Sequence, residues 1–164
     1  MKIAPIPDNE KERLAALHAL LIMDTPPEQR FDRITEFAAS EFDVPIVLLS
    51  LIDENRQWFK SRVGLDVCET SRDLAFCAHA LHSTEPLIIS DTLVDERFSD
   101  NPLVTGHPFI RFYTGAPLVL PSGLIAGTLC LIDTQPRVLD EIELAILGTL
   151  RDLAVIELQE RGQQ

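Results

Sequence analysis

Residues 124–132 hold a single polar side chain, Thr128, in an otherwise apolar or glycine run. A strand that is apolar on both faces belongs in the middle of a sheet covered from both sides, so this segment is read as a central strand. Residues 109–120 form its neighbour across the turn Pro121-Ser122-Gly123. Residues 46–53 are another β-rich run, ending in the turn-prone Asp53-Glu54-Asn55, and residues 57–63 return as its hairpin partner before Gly64. Residues 87–90 add a short strand. Hairpins dominate these connections, which predicts a largely antiparallel sheet with helices packed on it, an α+β layer fold.

Helical spacing brackets the strands. Asn9 and Glu12 have the spacing of a capping box, and Leu14, Leu17 and Leu21 recur on one face of a first helix through Met23. Thr25-Pro26-Pro27-Glu28 supplies a hydroxyl cap, proline at the first helical position and a carboxylate for a second helix. Its buried stripe is Phe31, Ile34, Ala38 and Phe42. Ser71 is placed to cap a third helix over residues 72–81, carrying both Cys77 and His79. Residues 91–98 read as a loop with one helical turn, and 99–108 as a long, turn-rich excursion of the kind that often serves function. Asp140 and Glu143 open a final helix to about residue 160 with two apolar stripes. One stripe holds Ile142, Ile146, Leu150 and Leu153, the other Leu144, Leu147, Val155 and Leu158. One of them covers the sheet; the other needs the first helix or a second copy, and Leu147 and Leu158 are taken as dimer contacts.

Composition narrows the function. Lys and Arg number 14 against 26 Asp and Glu, a net charge of −12, and the basic residues are scattered, so nucleic acid is a poor partner. The run at 44–49 is cut by Pro45 and ends at Ser50; nothing approaches the roughly 18 apolar residues of a membrane span. The first residues lack the apolar stretch of a signal peptide, which points to a cytoplasmic address. Cys68, Cys77 and Cys130 have no Cys-x-x-Cys spacing and are expected to be reduced thiols rather than disulfides or zinc ligands.

Few residues have the spacing of chemistry. On an α-helix Cys77 and His79 point about 200° apart and cannot form a dyad. His18, His82 and His107 make no metal-binding spacing, there is no Gly-x-Ser-x-Gly, and the glycines are too sparse for a phosphate loop. Arg111 beside Phe112 and Tyr113 is placed either to hold an anionic ligand or to pair with an acid. Asp53, Asp91 and Asp133 stand at strand ends, where a side chain bonding its own backbone makes a turn.

Several motifs in fixed order resemble the GAF domains found at the N-terminus of bacterial sensory proteins. They are Thr25-Pro26-Pro27-Glu28 through Phe31-Asp32-Arg33-Ile34, Ser50-Leu51-Ile52-Asp53 with Arg56-Gln57-Trp58-Phe59-Lys60-Ser61, and Phe76-Cys77-Ala78-His79-Ala80. Asp95-Glu96-Arg97-Phe98 with Asn101-Pro102-Leu103-Val104, the segment from Arg111 to Leu118, and Gly127 to Asp133 complete the set. The resemblance spans nearly the whole chain. It implies a GAF/PAS-like sheet of five to six antiparallel strands, terminal helices on one face and a ligand pocket on the other, roofed by the third helix and the long loop. Residues 1–164 are then one domain, with 1–8 an N-terminal tail and 161–164 a frayed end.

Carried over by motif, Trp58, Cys77, His79, Asp91, Arg111, Tyr113 and Cys130 become candidates for lining or supporting the pocket. No catalytic residue, metal or cofactor is assigned. The implied role is a cytoplasmic regulatory module that binds an unidentified small molecule or relays a signal through terminal helices paired in a homodimer. Relatives of this kind sit upstream of histidine kinase or diguanylate cyclase domains, so the chain either stands alone or is a segment of a longer protein. Competing readings are a thiol redox sensor or small redox enzyme using Cys77 and Cys130, and a structural dimerisation domain with a filled pocket. The sequence departs from three variants of the fold: residues 109–117 lack the cysteine expected of free methionine sulfoxide reductases, Phe76-Cys77-Ala78-His79 does not match bilin attachment motifs, and the cyclic-nucleotide signature is missing.

Overall fold

Two central strands, Ile46–Ile52 (β1) and Ile125–Asp133 (β6), pair antiparallel and are buried along almost their whole length. The computed structural model describes residues 1–162. Outward from the centre, Arg56–Val63 (β2) and Glu69–Ser71 (β3) extend one side, and Phe112–Val119 (β5) and Leu87–Ile89 (β4) the other. The result is a six-stranded sheet of order β3-β2-β1-β6-β5-β4 in which every neighbouring pair is antiparallel. Glu69–Ser71 has no counterpart in the sequence reading, because three largely exposed polar residues carry no strand pattern.

One face of the sheet is covered by the helices Glu10–Ala19 (α1), Gln29–Phe42 (α2) and Glu141–Gly162 (α4). Phe31, Ile34, Ala38 and Phe42 of α2 join Leu49, Leu51, Phe112 and Leu129 in one core there, as their spacing predicts. The other face carries a short roof. It consists of a 3-10 turn at Arg72–Leu74, a 3-10 helix at Phe76–His82 and the small helix Pro102–Thr105 (α3) within the long loop. Phe76, Cys77, Leu81, Phe98, Val104 and Ile110 form a second core with Leu48, Ile52, Tyr113 and Cys130.

The local signals are only partly realised. The Asp140/Glu143 box forms in both directions, Glu143 N donating to Asp140 Oδ1 (2.8 Å) and Asp140 N to Glu143 Oε1 (3.2 Å). Asn9 gives no side-chain cap, and Thr25 turns back to donate to Ile22 O, so α2 begins only after Glu28. The first helix stops at Ala19 rather than running to Met23. Leu20 and Ile22 are both buried, a demand no helix face meets, so Leu21 takes φ 52° and leaves its side chain exposed. The third helix breaks at Ala75 (φ −75°, ψ 121°) into two 3-10 pieces. Its residues are buried from two directions, by the sheet below and by the N-terminal segment above, where His79 and His82 bond to Lys2 O and Pro5 O. Residues 1–8 are thus strapped across the roof.

At the other end, Arg161 is held by Glu28 (2.5 Å) and by Leu21 O (3.0 Å), so it belongs to the last turn of α4; residues 163–164 lie outside the described residues. On α4 the stripe facing inward is Leu147, Leu150, Ala154 and Leu158. This corrects the assignment of Leu147 and Leu158 to a dimer contact, because the core shared with α2 and β5 already covers them. The surplus apolar face is the other one, with Ile142, Leu153 and Ile156 exposed.

A largely buried carboxylate joins the helical layer to the roof. Glu10 of α1 accepts from Arg13 Nε and Nη2 (both 2.9 Å) and from Arg72 at the start of the roof. Arg13 is buried and reaches Ile125 O, while Arg72 also holds Asp53 O. Burial alone would push the Glu10 carboxyl up, but the hydrogen bonds and charges of the two guanidinium groups outweigh it and hold it at about 2, below the ordinary 4.5. A depressed carboxylate contributes stability above its unfolded value and loses it as pH falls toward the folded one. Glu10→Gln is expected to cost about 3 kcal/mol at neutral pH. In urea titrations the gap to wild type should narrow as pH drops from 4.5 toward 2; a gap that persists unchanged rules out the ionised carboxylate as its source.

Candidate ligand-binding site

Between roof and sheet lies a cavity of about 220 Å³. The sheet contributes Leu48, Phe59, Tyr113 and Ile132, the roof Phe76 and Cys77, and the long loop Leu103, His107, Pro108 and Ile110. Gln57, Glu69 and Thr70 mark its rim, and no lysine or arginine lines it among the described residues. Gln57 Nε2 donates to Thr70 Oγ1 (3.0 Å), while its Oε1 is buried without a partner among the described residues. A wider, open groove of about 540 Å³ runs between α2 and β2 on the opposite side. It is polar and lined by two cations, the exposed Arg62 and the buried Lys60, which is already engaged: Lys60 Nζ lies 2.6 Å from Glu28 and donates to Thr25 Oγ1 and Pro26 O. The more enclosed, apolar cavity is the better receptor for a small molecule.

The cavity wall rests on a buried polar cluster. Tyr113 Oη donates to Cys77 Sγ at 2.9 Å, and Cys77 Sγ lies 3.7 Å from Ser50 Oγ and 3.9 Å from Cys130 Sγ. One glycine makes room for it: a Cβ on Gly115 would fall 2.3 Å from Tyr113 Oη, whereas Gly127 serves the close pairing of β6 with β1, a Cβ there falling 1.9 Å from the backbone Ser50 O. Burial pushes a thiol up, yet the hydrogen bonds converging on Cys77 outweigh it and bring this thiol below its ordinary range. Cys130 moves the other way, because burial and the neighbouring sulfur both disfavour its charge. Burial and the two sulfurs likewise hold the Tyr113 phenol protonated.

The seven residues singled out from the sequence therefore separate. Cys77 and Tyr113 line the cavity, and Cys130 lies directly behind them. Trp58 sits on the other face of the sheet, in the helix-side core beside the polar groove. His79 packs edge-on against Phe98 (4.8 Å between ring centres) and bonds the overlying N-terminal segment rather than facing the cavity. Arg111 and Asp91 hold one another, with Nε and Nη2 at 3.2 Å from the carboxylate, and Asp91 also caps the turn Thr92–Val94 through Leu93 N. Arg111 is thus the partner of an acid and does not border the cavity. Sequence reasoning misses Phe59, Phe76 and Gln57 as lining residues, although Phe59 and Gln57 alternate along one strand face. Leu103, His107 and Pro108 come from the loop whose length marks it as functional.

Because the Arg111–Asp91 pair is about a third exposed on each side, its worth is modest. Arg111→Ala is expected to cost about 1 kcal/mol or less, and a double-mutant cycle with Asp91→Ala should return a coupling of that same order. Zero coupling would mean that the pair holds nothing together.

With this geometry in hand, comparison with known proteins gives a consistent picture. The family described as GAF domain matches residues 26–158. Over 137 residues, 84% of this chain, the sequence is 42% identical to a cyclic di-GMP phosphodiesterase of Pseudomonas aeruginosa. The match covers 23% of that protein, so the chain spans under a quarter of its relative's length. Among solved structures, the GAF domain of a phosphoenolpyruvate-protein phosphotransferase from Coxiella burnetii has a TM-score of 0.65 at 15% identity, covering 96% of this chain and 100% of that one. The free methionine-R-sulfoxide reductase of Neisseria meningitidis, in complex with its substrate, has a TM-score of 0.63 at 15% identity, covering 100% and 99%. At these identities the likeness is one of fold.

Proposed function

As the chain belongs to the GAF domain family, we propose that it is a cytoplasmic sensory module that receives a small, uncharged, largely apolar molecule beneath the roof. The observation that carries this reading is the cavity lined by Leu48, Phe59, Phe76, Ile110 and Tyr113, with no lysine or arginine among its described lining residues. An anion would leave water without a counter-charge, inside a chain of net charge −12. A ligand bringing one N–H or O–H would satisfy Gln57 Oε1. Cyclic di-GMP is both too large for about 220 Å³ and doubly charged, so it is not the proposed ligand. It enters instead through the proposed output: the segment 42% identical to this chain lies in a phosphodiesterase named for that dinucleotide, and a cyclic-dinucleotide or kinase domain is the partner we favour. The module itself is proposed to bind rather than catalyse: the thiol on its wall, Cys77, bonds Tyr113, Ser50 and Cys130 and is hydrogen-bonded to no histidine or carboxylate among the described residues.

The proposed relay uses two physical links. A ligand under Phe76 biases the roof, and the roof begins at Arg72, which shares Glu10 with Arg13 of α1. At the far side, Ile142, Ile146, Thr149, Leu153 and Ile156 recur on α4 at alternating spacings of four and three, flanked by Phe37 of α2. Such a seam fits a second copy of itself, and α4 paired in a homodimer is the proposed path to the output.

Two measurements test the reading. Indole, an apolar probe with a single N–H, is expected to raise the melting temperature as it saturates, stabilising by about 2.7 kcal/mol at a hundred times its Kd, while cyclic di-GMP leaves it unchanged. Leu48→Trp should fill the cavity and abolish the indole effect; stabilisation that survives it would place the probe elsewhere. In light scattering, Ile146→Glu with Leu153→Glu should give a folded monomer from a dimer, with circular dichroism preserved. Leu147→Glu should instead unfold the chain, because Leu147 is fully buried. A wild type that is monomeric at high micromolar concentration removes the relay.

A further inference from the structure

The cavity wall holds a chemistry that ligand binding does not use. Cys77 and Cys130 stand on different layers, the first on the roof helix and the second on the central strand β6, with their sulfurs 3.9 Å apart. No disulfide joins them, and both are buried, at 2% and 0% exposure. They are not equivalent: Cys77 is a lining residue of the cavity, whereas Cys130 lies behind Cys77 and does not border the cavity. Tyr113 Oη and Ser50 Oγ both approach the Cys77 sulfur, and Gly115 keeps open the space the phenol needs to do so. An ordinary buried cysteine needs neither a phenol donor nor a glycine to admit one.

We propose that Cys77 and Cys130 are an oxidisable dithiol, in which a hydroperoxide entering the cavity converts the pair into a disulfide that pins the roof to the sheet. In the first step the Cys77 sulfur, as thiolate, attacks the terminal oxygen of the peroxide. An S–O bond forms, the O–O bond breaks, and the leaving alkoxide or hydroxide takes up the proton the thiol gave up, departing as alcohol or water. Cys77 is then a sulfenic acid. In the second step the Cys130 sulfur attacks the Cys77 sulfur; the S–S bond forms, the S–O bond breaks, and the hydroxyl leaves as water with the Cys130 proton. The net change is two thiols and one hydroperoxide giving one disulfide, one alcohol or water, and one water. The sulfurs must close by about 2 Å, and the 3-10 roof helix is the layer free to move, since β6 is paired on both sides.

This inference is independent of which ligand the cavity takes. The test uses the chain with Cys68, the exposed third thiol, replaced by serine so that it cannot report or pair. Stoichiometric hydrogen peroxide should give an intramolecular Cys77–Cys130 crosslink in peptide mass spectra, with the loss of two hydrogens and full reversal by dithiothreitol. Cys130→Ser should stop at the sulfenic acid, trapped by dimedone on Cys77. Cys77→Ser should leave Cys130 unmodified over the same interval, because it has no access of its own. Tyr113→Phe should slow crosslinking by roughly tenfold, with circular dichroism unchanged, since it removes one donor to the attacking sulfur. Unreacted thiols under these conditions, oxidation of Cys130 in the absence of Cys77, or only intermolecular disulfides would each overturn the proposal. Should either serine variant fail to fold, the crosslink in the Cys68→Ser parent decides the matter alone.

Discussion

Lys60 is an extra residue in the pairing of β2 with β1: Leu49 stands opposite Ser61 and Ser50 opposite Phe59, which leaves Lys60 without a partner between them. The cavity and the helical layer both depend on this bulge. Side chains alternate along a strand, so one unpaired residue moves everything beyond it to the opposite face. Val63 and Ser61 face the helices, Ser61 bonding Thr35 and Asp32 of α2. Uninterrupted alternation would put Phe59 and Gln57 on that face as well, and would turn Trp58 and Lys60 toward the roof. With the bulge, Phe59 and Gln57 line the cavity, Trp58 joins the helix-side core, and Lys60 reaches Glu28. Strand β1 meanwhile keeps a strict alternation, Val47, Leu49 and Leu51 toward the helices and Leu48 and Ser50 toward the roof. An apolar pocket on one face and a cation beneath α2 on the other thus follow from a single unpaired residue.

How far the sequence reveals this can be traced residue by residue. The central strand at 124–132, the hairpin at 46–63 and the inward face of α2 are legible because two-sided or one-sided burial writes itself directly into apolar periodicity. The α4 box is legible because both of its partners are local. What stays hidden is whatever distant residues decide. Trp58 is drawn toward the pocket by its motif, and only the pairing with β1 shows that the bulge beside it reverses its face. Leu21 has the spacing of a core residue but is expelled, since Leu20 and Ile22 both find places in the helix-side core. Phe76–His82 looks like an α-helix until the N-terminal segment lies across it. Arg111 and Asp91 are 20 residues apart, and only the fold brings the guanidinium to the carboxylate. The same holds for the site: motifs pick out Cys77 and Tyr113, but their contact with each other, with Cys130 and with Ser50 joins four separate elements.

Two carboxylates between the layers are each shared by more than one cation. Glu10 is shared by Arg13 and Arg72, and Glu28 by Lys60 and Arg161, whose hydrogen bonds outweigh burial and keep its carboxyl below the usual range. Removing these ions from water is costly in itself and offsets part of their mutual attraction, while the bonds they make fix a geometry. Their positions agree with that. Glu10 ties the start of the roof to α1, and Glu28 ties the last turn of α4 to β2. Each terminal helix is thus referenced to the sheet or its roof by a directional bond, where apolar contacts alone would let it slide.

The roof is the element on which these features meet. It closes the cavity, carries Cys77, and is held at its start by Arg72 on Glu10. Two inputs acting on one element need not act in the same sense. On the readings proposed above, a molecule beneath Phe76 occupies the gap that the roof already leaves over the sheet, whereas a Cys77–Cys130 bond draws the roof closer by about 2 Å. On these two proposals, occupancy disfavours the disulfide and the disulfide weakens binding, and the two effects are equal by linkage where the dithiol is poised at redox equilibrium. Couplings of this kind amount to about 1–3 kcal/mol, comparable to the cost of one or two roof contacts. The 3-10 geometry suits such a range: its short, poorly aligned hydrogen bonds give up little when the segment shifts, while β6 beneath it, paired on both edges, stays in place.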